Sequence, residues 1–144
     1  MKIKILLDEY GFMPTYAAPG DAGADLRAAL PLGMVTIYPG ERKKICTGMR
    51  VAVPEGYEMQ IRSRSGLAYS GIVVANSPGT IDSGYRGEIG VILCNISDTP
   101  YAVHHGYKIA QAVIAPVVRA EFELVSELDE TERGEGGFGS TGVK

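Results

Sequence analysis

Apolar and polar residues alternate along this chain in short runs, separated by turn residues. Residues 2–7 (KIKILL) put Ile3, Ile5 and Leu7 on one face, the two-residue period of a strand with one buried side. Residues 57–64 repeat the pattern, which predicts Tyr57, Met59 and Ile61 facing inward and Glu58, Gln60 and Arg62 facing out. Further strand-like runs fall at 23–29, 34–38, 42–53, 72–75, 80–82, 87–96, 101–104, 107–118 and 121–128, with turn signals between them. Gly48 predicts a bulge or bend inside 42–53. Only residues 65–71 (SGLAYSG) read as helix, a short one capped by Ser65. The pattern predicts an all-β sandwich or distorted barrel with one short helix.

Three runs, IVVA, VILCNI and IAQAVIAPVV, lack clean polar alternation. An antiparallel sandwich wets one face of its sheets, so strands apolar on both faces imply a second burial surface, most simply a subunit interface. Composition agrees with a turn-rich fold. Gly 19 and Pro 8 together make 27 of 144 residues, above the roughly 12% of an average protein. No apolar run approaches the ~18 residues of a membrane helix, and the N-terminus has neither the apolar length nor the cleavage site of a signal peptide. The expectation is a soluble cytoplasmic protein. A net charge of −3 argues against binding nucleic acid through an overall field, while leaving room for a local anion site. Cys46 and Cys94 are expected to be free thiols.

Residues 129–144 (DETERGEGGFGSTGVK) differ in kind, with five glycines, six charged side chains and one aromatic. So little apolar surface does not offset the entropy of ordering the segment. We therefore divide the chain into a β domain, 1–128, and a flexible Gly-rich flap, 129–144. The flap formally contains G-x-G-x-x-G at 134–139, but no helix follows it, so the dinucleotide reading fails. What remains is exposed backbone preceded by Arg133 and followed by Ser140 and Thr141, able to wrap a phosphate, with Phe138 able to stack on a flat ring.

Other residues suggest chemistry, each with a plainer reading beside it. Arg64-Ser65-Gly66 opens the predicted helix, where backbone N–H groups, a hydroxyl and a guanidinium suit an anion, or a surface Arg and an ordinary cap. Asn76 to Gly87 is the densest polar turn. Within it Asp82 follows Ile81 at a strand end, held near the core, and either accepts a proton from water or caps its own turn. Tyr85 can pack on a sugar or cover the hairpin. Asp21 and Asp25 flank a Gly-rich turn, as metal-associated carboxylates or as turn chemistry. Gln111 interrupts an apolar run and requires a hydrogen-bond partner, structural or ligand. His104 and His105 face opposite ways on one strand and receive no role.

Taken in order, five segments resemble the trimeric deoxyuridine triphosphatase (dUTPase) family over nearly the whole chain: Ala22-Gly23-Ala24-Asp25-Leu26; Arg64-Ser65-Gly66-Leu67-Ala68; Asn76 to Gly87; Tyr107-Lys-Ile-Ala-Gln111; and Arg133 to Gly142. The resemblance implies a jelly-roll-like fold, a homotrimer with active sites at subunit interfaces, Mg²⁺, and hydrolysis of dUTP to dUMP and pyrophosphate. It implies Asp82 as the base that activates water, and Asp25 beside the metal through metal-bound water. It further implies Arg64, Ser65, Gly66 and Gln111 around the phosphates. Asn76 and the backbone from Thr80 and Ile81 to Gly90 would read uracil, and Tyr85 would pack on deoxyribose. Arg133, Phe138, Gly139, Ser140 and Thr141 would close over the substrate, usually from a neighbouring subunit. Departures from the family pattern are Ser63, Ala24 and Gly90. A dCTP deaminase, on a related fold, is opposed by the complete Gly-rich tail and the Asn76 to Gly87 hairpin.

Overall fold

The computed structural model describes residues 1–137. Among them the chain forms eleven strands and one helix: β1 (Lys4–Leu7), β2 (Ala24–Arg27), β3 (Met34–Ile37), β4 (Arg42–Cys46), β5 (Met49–Ala52), β6 (Tyr57–Arg62), α1 (Ser65–Tyr69), β7 (Ile72–Val74), β8 (Gly79–Ile81), β9 (Gly90–Asn95), β10 (Tyr101–His104) and β11 (Lys108–Pro116). All pairings are antiparallel. The strands group as β1-β5, β10-β3, β2-β11-β6-β8 and β4-β9-β7. These sheets do not close into a barrel; they wrap one core of jelly-roll type.

Side chains from all four groups meet in that core, among them Leu26, Ile37, Ile45, Met49, Ile61, Leu93 and Val103. The two-residue alternation delivers them: in β6 Met59 and Ile61 are buried while Glu58, Gln60 and Arg62 are not. Tyr57, predicted inward with them, is exposed, because it opens the strand beyond the core's edge. Gly48 divides the predicted run 42–53 into β4 and β5. Its φ is +63° and a Cβ there would lie 2.7 Å from the Cα of Gly11, so both the turn and the close approach call for glycine.

Two expectations need correction. Ser65 is the first residue of α1, not its cap. Arg64 takes the cap position in extended geometry with no side-chain cap bond, and Gly71 at φ +79° ends the helix in the left-handed conformation. The run 121–128 forms no strand. It has strand-like alternation but no neighbouring strand among the described residues, and Phe122 and Leu124 are 95% and 99% exposed. No helix among the described residues is long and apolar enough to cross a membrane. Cys46 and Cys94 are free, as expected.

Candidate active site

β2 and β11 lie side by side with Asp25 directly opposite Gln111, and on its other side Gln111 stands opposite Arg62 of β6. This register brings the ends of three distant segments to one cleft of about 440 Å³. Asp21, Gly23, Asp25, Arg64, Ser65, Gly66, Lys108 and Gln111 line it. Asp25 is buried at 8% exposure and carries two cations: Arg64 Nε lies 2.9 Å from Oδ1, and Lys108 Nζ 2.6 Å from Oδ2. Burial pushes the Asp25 carboxyl up. The Lys108 hydrogen bond, with the charges of Arg64 and Lys108, outweighs burial and holds it below the ordinary value of 3.8. Arg64 is aimed a second time, because its Nη1 donates to the Lys108 carbonyl at 3.2 Å. The Gln111 amide donates to the Ser63 carbonyl at 2.9 Å, and its Oε1 sits over Gly23 where a side chain would otherwise stand. Gln111 thus has the partner it required and still lines the cleft.

Asp82 lies elsewhere. It follows β8, the edge strand beside β6, and lines a second cleft of about 570 Å³ with Tyr57, Glu58, Thr80, Ser83 and Arg119. Contrary to expectation it is exposed rather than held near the core, since β8 ends at the sheet margin. Its carboxylate makes no hydrogen bond among the described residues; the turn is closed by its carbonyl, which accepts from the Tyr85 N–H at 3.1 Å. The rest of the hairpin braces itself. Tyr85 Oη donates to the Glu88 carbonyl at 3.0 Å, and Arg86 Nη1 donates to the carbonyls of Ser83 and Tyr85 at 2.7 and 2.8 Å. Asn76 is exposed beside Gly79, and Lys44 covers Gly90. Thr80 and Ile81 lie on the edge strand, whose outer side offers unpaired main-chain donors and acceptors.

Strand register measures the gap between the clefts. Met59 pairs with Ile81, so Asp82 stands level with Glu58. Glu58 to Arg62 spans about 13 Å at roughly 3.3 Å per residue, and Arg64 lies beyond. One chain therefore does not bring Asp82 and Arg64 to the same phosphorus. Arg133 is also away from the first cleft, its Nε closing a local turn on the Gly136 carbonyl at 2.9 Å. Phe138, Gly139, Ser140 and Thr141 lie outside the described residues.

Sequence reasoning missed Lys108. The polar residue was visible beside Gln111, but strict alternation from Gln111 assigns it to the opposite face of β11.

An all-β chain of jelly-roll type thus gathers a guanidinium, an ammonium, an amide and a Ser-Gly turn beside two carboxylates around one cleft, the layout of an enzyme site for a charged ligand. The dUTPase family model matches residues 9–142, and the chain belongs to that family. It is 58% identical over 131 residues to the deoxyuridine 5'-triphosphate nucleotidohydrolase of Roseobacter denitrificans, covering 90% of this chain and 86% of the relative. The Staphylococcus bacteriophage 80alpha dUTPase with dUPNHPP superposes with a TM-score of 0.89 at 31% identity, covering 99% of each chain. A mutant dUTPase of phage phi11 of S. aureus, whose structure details coordination of a structural Mg(II) ion, gives 0.80 at 28% identity over 90% of this chain and all of that one.

Proposed function

We propose that this chain hydrolyses dUTP to dUMP and pyrophosphate, with Asp82 as general base and the Asp25–Arg64–Gln111 cleft as the phosphate site. The observation that carries the reading is the convergence of Asp25, Arg64, Ser65, Gly66 and Gln111, from three separated segments, on one cleft. Asp82 takes a proton from water, the water oxygen bonds to the α-phosphorus, and the bond to the β-phosphate bridging oxygen breaks, so that pyrophosphate leaves. Arg64 and the N–H groups of Ser65 and Gly66 stabilise the charge on the phosphoryl oxygens. The outer edge of β8 and Asn76 read the uracil edge, Tyr85 screens the 2′ position, and Gly90 contributes main chain only.

Among the described residues no three His, Cys, Asp or Glu side chains converge on a metal position. Both Asp25 oxygens are already engaged by cations. With both oxygens so engaged, Asp25 would hold Mg²⁺ only through a metal-bound water. Bound there, Mg²⁺ would supply charge neutralisation for the phosphates.

The separation of Asp82 from Arg64 supports active sites shared between subunits, which we assign to a homotrimer. The exposed Phe122 and Leu124 supply apolar surface for such an assembly. Residues 129–144 act as the flap, bringing Arg133, Phe138, Gly139, Ser140 and Thr141 over the nucleotide of a neighbouring subunit. The two free cysteines suit the reducing cytoplasm.

Pyrophosphate release from dUTP, dCTP, dTTP and UTP, assayed side by side, tests the reading. Hydrolysis of dUTP far above the others is expected, and Asp82→Asn should retain dUPNHPP binding while turnover falls by several orders of magnitude. Ammonia release from dCTP would favour the deaminase instead.

A further inference from the structure

β11 carries an irregularity whose consequence falls on the cleft. Pairing with β2 runs Ala112 to Ala24, Gln111 to Asp25 and Ala110 to Leu26, then jumps to Lys108 opposite Arg27, leaving Ile109 as an extra residue. Had regular pairing continued through Ile109, Lys108 would stand opposite Ala28, which is fully buried, and its ammonium would enter the core. The bulge instead rotates Lys108 onto the face that carries Asp25 and Gln111. A bulge that avoids burying one lysine needs no further purpose, but this one delivers the ammonium into the same cleft as Ser65, Gly66 and Gln111.

Three features argue that Lys108 does more than neutralise Asp25. The ammonium has three donors, and Asp25 is its one hydrogen-bonded or ionic side-chain partner among the described residues. A third of the side chain is exposed on the cleft wall. And the charges lining the cleft balance: Arg64 and Lys108 against Asp21 and Asp25. Removing Lys108 would leave the wall net negative and repel a polyphosphate.

We infer that Lys108 is a triphosphate-binding residue of this cleft, aimed into it by the Ile109 bulge and positioned by Asp25. The inference rests on the proposed reading of the cleft as the phosphate site. Its test uses the full-length enzyme with Lys108→Met, which keeps the aliphatic stem, Lys108→Gln as a second neutral variant, and Lys108→Arg. Calorimetry measures binding of dUPNHPP and dUMP, and kinetics give kcat and KM for dUTP. Loss of one charge-assisted contact should weaken dUPNHPP by about 10- to 100-fold in both neutral variants. KM should rise in step, dUMP should lose much less, and Arg should restore most of the affinity. Neutral variants that bind dUPNHPP as tightly as wild type, or lose dUMP equally, overturn the inference. A wild-type enzyme indifferent to both dUPNHPP and dUTP would overturn the reading of the cleft itself.

Discussion

Arg64 and Asp25 fix each other: Nε sits 2.9 Å from Oδ1, while Nη1 of the same guanidinium reaches the Lys108 carbonyl. The carboxylate is thus the post on which both cleft cations are mounted. Asp25→Ala removes that post. Breaking a fully buried pair costs roughly 3–5 kcal/mol, and here both cations are a third exposed, so a loss of about 2 kcal/mol is expected. Urea unfolding should show a lower midpoint at unchanged slope, and kcat should fall more than tenfold because Arg64 loses its aim. An unchanged midpoint would mean the pair adds nothing to the fold.

Gly23 offers a way to move Gln111 without replacing it. A Cβ on residue 23 would collide with Gln111 Oε1, the far end of a flexible side chain. Gly23→Ala should therefore swing Gln111 off the Ser63 carbonyl at a stability cost near 1 kcal/mol, about one hydrogen bond. Its kinetic defect should match that of Gln111→Ala, and the double variant should be no worse than either single one. Additive defects would show that Gly23 and Gln111 act separately.

Much of this architecture was legible because alternation is local. Ile3, Ile5, Met59 and Ile61 declared their faces by spacing alone, and Gly48 marked the break between β4 and β5. What stayed hidden depended on partners. The run 121–128 alternates like a strand, yet strands exist only by pairing, and the described residues offer it no partner. Lys108 was hidden by one extra residue, which inverts every face assignment beyond it. That Asp82 and Arg64 lie apart was invisible as well, since motif order along a chain carries no distance.

That separation makes a sharp prediction about assembly. If each site takes Arg64 from one subunit and Asp82 from another, two inactive chains can complement each other. Arg64→Gln and Asp82→Asn proteins should each be nearly inactive alone. Unfolded together at equal amounts and refolded, they should regain about a quarter of wild-type activity, because random assortment gives each site an even chance of each intact residue. A mixture as inactive as its components, despite mixed oligomers in native mass spectra, would mean that both residues serve from the same chain.

Cys46 gives a pH dependence whose sign follows from its surroundings. Burial pushes its thiol above the ordinary 9.0, and the neighbouring Glu88 carboxylate adds to the shift. The unfolded chain therefore releases this proton at lower pH than the folded one. The associated stability is whole below pH 9.0 and is lost as pH rises through the elevated folded value. Urea midpoints of wild type should fall more steeply between pH 8 and 10 than those of Cys46→Ala, in which the other titrating groups remain. The same elevation keeps the thiolate scarce in the native protein, so iodoacetamide at pH 8.5 should modify Cys46 much more slowly in buffer than in urea. Parallel midpoint curves with equal alkylation rates would remove Glu88 and burial as controls on this thiol.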